Sequence, residues 1–378
     1  RASIADPFLP VKIREGRSDE IRECIGCNIC IASWHDGVPV RCTQNATAGE
    51  EWRRGWHPEK FVKTNTPERL LVIGGGPAGL EAALVAARQG FDVMLAEQAD
   101  DWGGRVLQES QLPGMATWRR VRDYRVWALS QMGNVSMFTN SKLHAEEIDS
   151  VGAQHIALAT GAHWTRRLYS PLEIPAESLD SPQVFTPEDV YAGRISGDRI
   201  LVFDYDNYYL GGVISEHLAV QGKIITYATP AGHASAWTFM TNELPFVYQA
   251  LARQGVTIHT TTNLLNFANG RAELENLFNR TPLELEIDSI VVVGHREPND
   301  VLYQELMSCQ QRSNGQFSIN LLGDALAPGA IVHAVHSGHG FARSLVGDET
   351  IYLRDEPIVP VDPMPAFPLS EESRFFRS

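Results

Sequence analysis

The sequence predicts an α/β fold in which two parallel-sheet units follow a short cysteine-rich segment. Three observations carry that prediction. Four of the five cysteines fall between Cys24 and Cys42. The apolar run Arg69 to Ile73 leads through a glycine turn into a helical pattern, the strand–turn–helix order of a nucleotide-binding βαβ unit. A second run of the same plan begins at Arg199.

At roughly 100 to 200 residues per domain, a chain of 378 residues makes two or three domains with large cores. A hydrophobic share of 43% with 21% charged residues, 31 Gly and 21 Pro is the profile of a soluble globular protein. Against 46 Asp and Glu stand 32 Lys and Arg, a net charge of -14 that opposes a broad nucleic-acid-binding surface. No apolar run approaches the roughly 20 residues needed to span a bilayer. The opening Arg1-Ala-Ser-Ile-Ala-Asp-Pro-Phe has neither the basic start nor the apolar core of a signal peptide, and Arg1 in place of Met predicts a piece of a longer chain. Five cysteines, four of them crowded, do not make a secreted disulfide framework. They predict a metal cluster in a reducing, cytoplasmic compartment.

Cys24, Cys27, Cys30 and Cys42 read C-x2-C-x2-C-x11-C. Two-residue gaps let a tight turn aim successive thiolates at one centre, and the fourth returns after a loop holding Gly37 and Pro39. Three close cysteines and one distant one suit a 4Fe-4S cluster, whose four irons each take a separate sulfur. Zinc is the competing ligand, although its structural sites usually come as two separated pairs. Cys309 stands alone and reads as a small core residue near a helix end.

Gly74, Gly76 and Gly79 form GxGxxG between the strand Arg69 to Ile73 and the helical run Leu80 to Gln89. The first glycine makes the turn, the second lets a pyrophosphate approach, and the third lets helix and strand pack closely. The helix N-terminus supplies amides and partial positive charge to the phosphates. A second strand, Asp92 to Ala96, ends in Glu97, placed to accept hydrogen bonds from an adenosine ribose. Further along come Trp102-Gly103-Gly104-Arg105, the strand ending in Ala159-Thr160-Gly161, and Gly323-Asp324 before a helix beginning near Gly329. These turns, in this order, resemble the FAD-binding domain of the glutathione-reductase-like superfamily.

The second unit runs strand Arg199 to Phe203, helix Leu210 to Gln221, strand Lys223 to Tyr227. Its turn reads Asp204-Tyr205-Asp206-Asn207-Tyr208-Tyr209-Leu210-Gly211-Gly212. Two acids where a pyrophosphate would lie, and tyrosines where glycine would admit it, predict a nucleotide fold without NAD(P)H binding. Tyr205, Tyr208 and Tyr209 either dock a protein partner or fill a groove within the domain.

The stretch Cys24-Ile-Gly-Cys27-Asn-Ile-Cys30, then Cys42-Thr-Gln-Asn-Ala-Thr-Ala-Gly-Glu-Glu-Trp-Arg-Arg-Gly-Trp-His-Pro-Glu59, resembles the trimethylamine and dimethylamine dehydrogenase family, which includes histamine dehydrogenase and is related to 2,4-dienoyl-CoA reductase. The resemblance implies two Rossmann-like nucleotide-binding domains of the glutathione-reductase type, preceded by a small iron–sulfur segment. It also implies an FMN-bearing (β/α)8 barrel, which needs about 250 residues ahead of the cluster. On that reading the chain is the C-terminal part of the enzyme, and Arg1 occupies the position that helps to hold the FMN phosphate. The adenine nucleotide is ADP in the amine dehydrogenase branch and FAD in the reductases. The implied activity is oxidative N-dealkylation or deamination of a small methylated amine, with electrons leaving through the cluster to an electron-transferring flavoprotein, in a homodimer. The alternatives are an NAD(P)H-dependent dienoyl-CoA or enoate reductase, or a scaffold without redox chemistry.

The domains then divide as follows. Residues 1–66 hold the barrel's end and the cysteine segment; 67–165 and 281–350 form the ADP/FAD-binding domain; 166–280 are the degenerate insert; 351–378 are a proline-rich arm. His333, His336 and His339 are spaced as a helix-face packing row. The basic run Trp118 to Arg125 flanks phosphates or forms a solvated helix face. Trp52, Arg53, Arg54 and Trp56 either shield the cluster or pack against the barrel.

Overall fold

The computed structural model describes residues 2–168, 177–179, 181–313 and 317–347. Arg1 and the arm 351–378 lie outside the described residues, as does the side chain of Cys309, whose backbone belongs to the helix Val301–Ser313.

The architecture is mixed α/β with two parallel sheets. Arg69–Ile73 is buried at four of its five positions, which a strand covered on both faces requires. It pairs in parallel with Asp92–Ala96 on one side and His155–Leu158 on the other. Val135–Phe138 and Ser318–Leu321 complete the two edges, making a five-stranded sheet. The helix Pro77–Gln89 crosses between the first two strands. It opens on a proline, which has no amide to lose there, and stops at Gly90 with φ +102, a left-handed C-cap that glycine alone adopts cheaply.

The second five-stranded parallel sheet runs Thr257–His259, Ile224–Ala228, Arg199–Asp204, Ser289–Val293, Val184–Phe185. A three-stranded antiparallel sheet, Thr262–Ala268, Arg271–Asn276 and Pro282–Glu286, packs beside it. The expected return to the first unit at residue 281 is therefore corrected. Ser289–Val293 lies in the middle of the second sheet, and the chain crosses back only after Val293, because five consecutive buried residues there need a strand on each side.

The cysteine segment packs into the same interior as both units. Ile25, Cys27 and Ile29 share one apolar cluster with Trp118 and Val121 of the first unit and Ile200, Val202 and Tyr227 of the second. Burial of this shared surface fixes the segment against the two sheets.

Candidate functional site

The glycine turn after Arg69–Ile73 is built from close approaches. A Cβ at Gly74 (φ +107) would stand 2.2 Å from the Ala159 carbonyl oxygen, and one at Gly79 would stand 1.9 Å from that of Gly74. Gly76 differs, with an extended backbone and open space where its Cβ would project, directly before the helix Pro77–Gln89. That space opens into a cavity of 620 Å³.

The cavity lies at the carboxyl ends of the first sheet's strands, where an open α/β sheet binds its ligand. Gly74, Gly76, Glu97, Gly104 and Arg105 line it, as do Thr160, Gly161 and Asp324. Glu97 Oε2 accepts from the Gly75 amide at 2.7 Å and Oε1 from the Ala99 amide at 2.8 Å. Each oxygen keeps a further lone pair for a ribose hydroxyl. Gly103 (φ +120) and Gly104 (φ +53) bend the chain so that Arg105 opens a short helix at the wall. Its Nη1 lies 3.1 Å from Glu109 Oε1 and its Nη2 3.5 Å from Asp324 Oδ2. Burial works against the guanidinium charge, but the nearby Glu109 and Asp324 hold Arg105 protonated. Asp324 also accepts from Arg296 at 2.5 Å.

Gly79, Gly103 and Gly323 stand behind the wall rather than on it; Gly323 (φ +58) meets Ala78 so closely that a Cβ would sit 2.7 Å from that methyl. Sequence reasoning missed Lys142 and His144, and also Asn299, Leu302 and Glu305, all of which line the cavity. The signal for the first pair was positional, since they directly follow the strand Val135–Phe138.

Cys24, Cys27, Cys30 and Cys42 line one small cavity of about 20 Å³, with Ile4 and Ile25. Gly26 (φ +75) and Asn28 (φ +54) take left-handed conformations between the cysteines, turning successive sulfurs inward. Burial pushes the Cys27 thiol up to about 12, partly offset by its contact with Thr43 Oγ1 at 3.1 Å. Burial raises Cys42 as well, with the neighbouring backbone amides of Asn45 and Gln44 drawing it back. Among the described residues no group of three or more His, Cys, Asp or Glu converges closely enough to hold a single metal ion.

The turn of the second unit is filled by its own side chains. Asp204 is fully buried and accepts from Tyr227 Oη and from the Asn207 amide at 3.0 Å. A Cβ at Gly211 would lie 2.4 Å from its carboxyl carbon, so the carboxyl occupies the approach to the helix Leu210–Val220. Tyr205, Tyr208 and Tyr209 are half-buried and pack into the core: Tyr209 meets Trp118 at 4.5 Å and Tyr208 meets Trp237 at 4.6 Å between ring centres.

Other expectations separate similarly. His339 Nδ1 pairs with Glu81 at 2.7 Å and His333 Nδ1 accepts from the Ala330 amide at 3.1 Å, so the row packs without converging. Trp56 is buried against His336 and His339 at the last helix rather than over the cysteines, and Trp52 is exposed. The basic run is not a uniformly solvated face, because Arg125 is wholly buried.

Residues 70–171 match the family model described as FAD dependent oxidoreductase, and residues 185–285 match the OYE-like second alpha/beta domain. Dimethylamine dehydrogenase of Hyphomicrobium sp. (strain x) is 36% identical over 377 residues, covering 91% of this chain and 51% of the relative. The chain is a homologue of the dimethylamine and histamine dehydrogenases. The structure of histamine dehydrogenase from Rhizobium sp. 4-9 superposes with a TM-score of 0.88 at 38% identity, over 96% of this chain and 55% of that one. The 6-hydroxypseudooxynicotine amine oxidase from Pseudomonas geniculata N1 gives 0.88 at 39% identity, over 91% and 52%. This dehydrogenase homologue thus spans about half the length of the relatives it matches. Among its described residues no helix is long and apolar enough to cross a membrane.

Proposed function

We propose that the chain is the electron-relay half of an amine dehydrogenase that carries FMN and a 4Fe-4S cluster. The observation that carries this reading is the single cavity lined by all four clustered cysteines. Four thiols in a buried cavity need a cationic centre before they can ionise together, which a bound metal supplies. Three close cysteines and one distant one suit the corners of a cubane better than the two separated pairs of a structural zinc site. Cys24, Cys27, Cys30 and Cys42 would hold the cluster, which supplies one-electron transfer when bound. Thr43 Oγ1 stands 3.1 Å from the Cys27 sulfur, and Ile4 and Ile25 line the same cavity.

The cavity beside the first sheet would bind an adenine nucleotide, ADP or FAD, within a pair of Rossmann-like domains. Gly74 and Gly76 admit the pyrophosphate to the helix N-terminus, Glu97 takes the ribose, and Arg105 offsets phosphate charge. Amine oxidation is assigned to the FMN-bearing part of the enzyme, with electrons passing on to an electron-transferring flavoprotein. The amine-acting relatives support a methylated amine as substrate. The competing NAD(P)H-dependent reductase needs an open pyrophosphate turn in the second unit, and Asp204 fills that turn.

The deciding experiment is iron and sulfide analysis with a visible spectrum, before and after anaerobic NADPH. About four irons per cluster and no bleaching are expected. Bleaching by NADPH would favour the reductase, and absence of iron would leave a scaffold.

A further inference from the structure

We propose that Arg296 is a positioning residue for the phosphates of the bound nucleotide, acting through Asp324, whose negative charge it offsets beside the phosphate turn. The inference rests on the adenine nucleotide reading above and deepens it.

The turn that would receive a pyrophosphate has an acid on one flank. Gly323 packs against Ala78 in the first turn of the helix Pro77–Gln89, and the next residue, Asp324, lines the cavity. Arg105 stands on the other flank. It follows Gly104, where a Cβ would lie 3.4 Å from the Gly76 Cα, and the Gly103 amide donates to the Gly75 carbonyl at 2.8 Å. A cation and a carboxylate therefore border the same helix N-terminus. Arg105 favours a pyrophosphate there, and an uncompensated Asp324 opposes one.

Arg105 cannot answer for Asp324 and for a phosphate at once. Its Nη1 lies 3.1 Å from Glu109 Oε1, while its Nη2 is 3.5 Å from Asp324 Oδ2 and donates to the Gly329 carbonyl at 3.4 Å, both long contacts. Arg296 supplies the close partner. Its Nη1 donates to Asp324 Oδ2 at 2.5 Å and its Nη2 to the Gly329 carbonyl at 3.0 Å, a fork across the two groups that Arg105 holds loosely. Asp324 Oδ1 accepts from the Gly329 amide at 3.0 Å, so both carboxylate oxygens are engaged by the chain itself. Arg105 is thereby left free for an incoming anion.

The arginine is fixed from behind. Arg296 opens the strand Arg296–Pro298, which pairs antiparallel with Ala162–Trp164, and its guanidinium carbon lies 5.1 Å from the Trp164 ring centre. Its side chain is 9% exposed and stands behind the cavity wall rather than on it.

Calorimetric titrations of the full chain with ADP, AMP and adenosine test the assignment. In Arg296→Gln, ADP affinity is expected to fall about tenfold and AMP affinity by less, with adenosine affinity within about twofold of the parent. Adding Asp324→Asn to that variant removes the charge that needed offsetting, keeps an acceptor for the Gly329 amide, and is expected to restore ADP binding. Parent-like ADP affinity in Arg296→Gln, equal losses for ADP and adenosine, or a double variant as weak as the single would each overturn the proposal. If Arg296→Gln does not fold, Asp324→Asn alone carries the test. With the acid gone and both arginines present, ADP should bind more tightly than it does to the parent, and unchanged or weaker binding overturns the proposal. A parent chain that binds none of the three would instead remove the nucleotide reading itself.

Discussion

Tyr209 Oη donates to Glu109 Oε2 at 2.5 Å, joining two residues that stand on different sheets' units. Glu109 closes the short helix begun by Arg105, and Tyr209 precedes the helix Leu210–Val220. Burial raises the Glu109 carboxyl, while Arg105 and the tyrosine hydroxyl draw it back down. The pair thus supports the arginine on the cavity wall. Tyr209→Phe should cost about 1.5 to 3 kcal/mol, the usual worth of a hydrogen bond to a charged group. Guanidinium unfolding checks this, and a loss below about 0.5 kcal/mol would mean that Arg105 alone satisfies the carboxylate.

The glycine turn separates ligand binding from folding. Gly76→Ala adds a methyl into open space and should leave apo stability within about 1 kcal/mol of the parent, Gly to Ala being mild where the backbone permits it. Adenine nucleotide affinity should fall at least tenfold. Gly79→Ala forces a methyl against the Gly74 oxygen and should unfold the first unit. Calorimetric titration with ADP beside thermal melts distinguishes the two, and equal behaviour of both variants would refute the assignment.

For the cysteines, Cys24→Ser should abolish visible absorption and acid-labile sulfide, whereas Cys309→Ser should retain both. Retention in Cys24→Ser would remove that residue from the ligand set.

Asp204 gives the second unit a pH signature. Burial, with the neighbouring Asp206 second, pushes its carboxyl up to about 7. The folded chain therefore keeps a proton that the unfolded chain releases at lower pH, so this group's stabilisation is full in acid and is lost as pH rises towards 7. The loss amounts to at most about 4 kcal/mol. Asp204→Asn should flatten the fall in stability between pH 5 and 8, as followed by urea melts about one pH unit apart. An unchanged slope would mean that the carboxyl is ionised throughout.

The strongest local signals were the readable ones. The turns at Gly74 to Gly79 and Gly323 are dictated by backbone approaches that side chains forbid, and the cysteine spacing is a covalent constraint; both are visible in one sequence. Boundaries set by pairing were not. Nothing local in Ser289–Val293 says that its neighbours are Arg199–Asp204 and Val184–Phe185, so the crossing was misread at residue 281. Tyr208 and Tyr209 left docking and groove-filling both open because their partners, Trp237 and Trp118, come from distant segments. Arg125 was hidden for the same reason, in a run of charges whose other members pair near the surface.

Completion of the first sheet by Ser318–Leu321 reverses the order in which the molecule can mature on the ribosome. The second sheet closes once residue 293 has been made, but His155–Leu158 stays an open edge until the strand at 318 arrives, on the order of a few seconds later at ordinary elongation rates. The helix Ile331–Ser344 then seats so tightly that a Cβ on Gly338 would lie 2.1 Å from the Ala78 oxygen. A nascent chain released early would carry a finished insert on an unfinished frame, with the unpaired edge that invites aggregation and recruits chaperones.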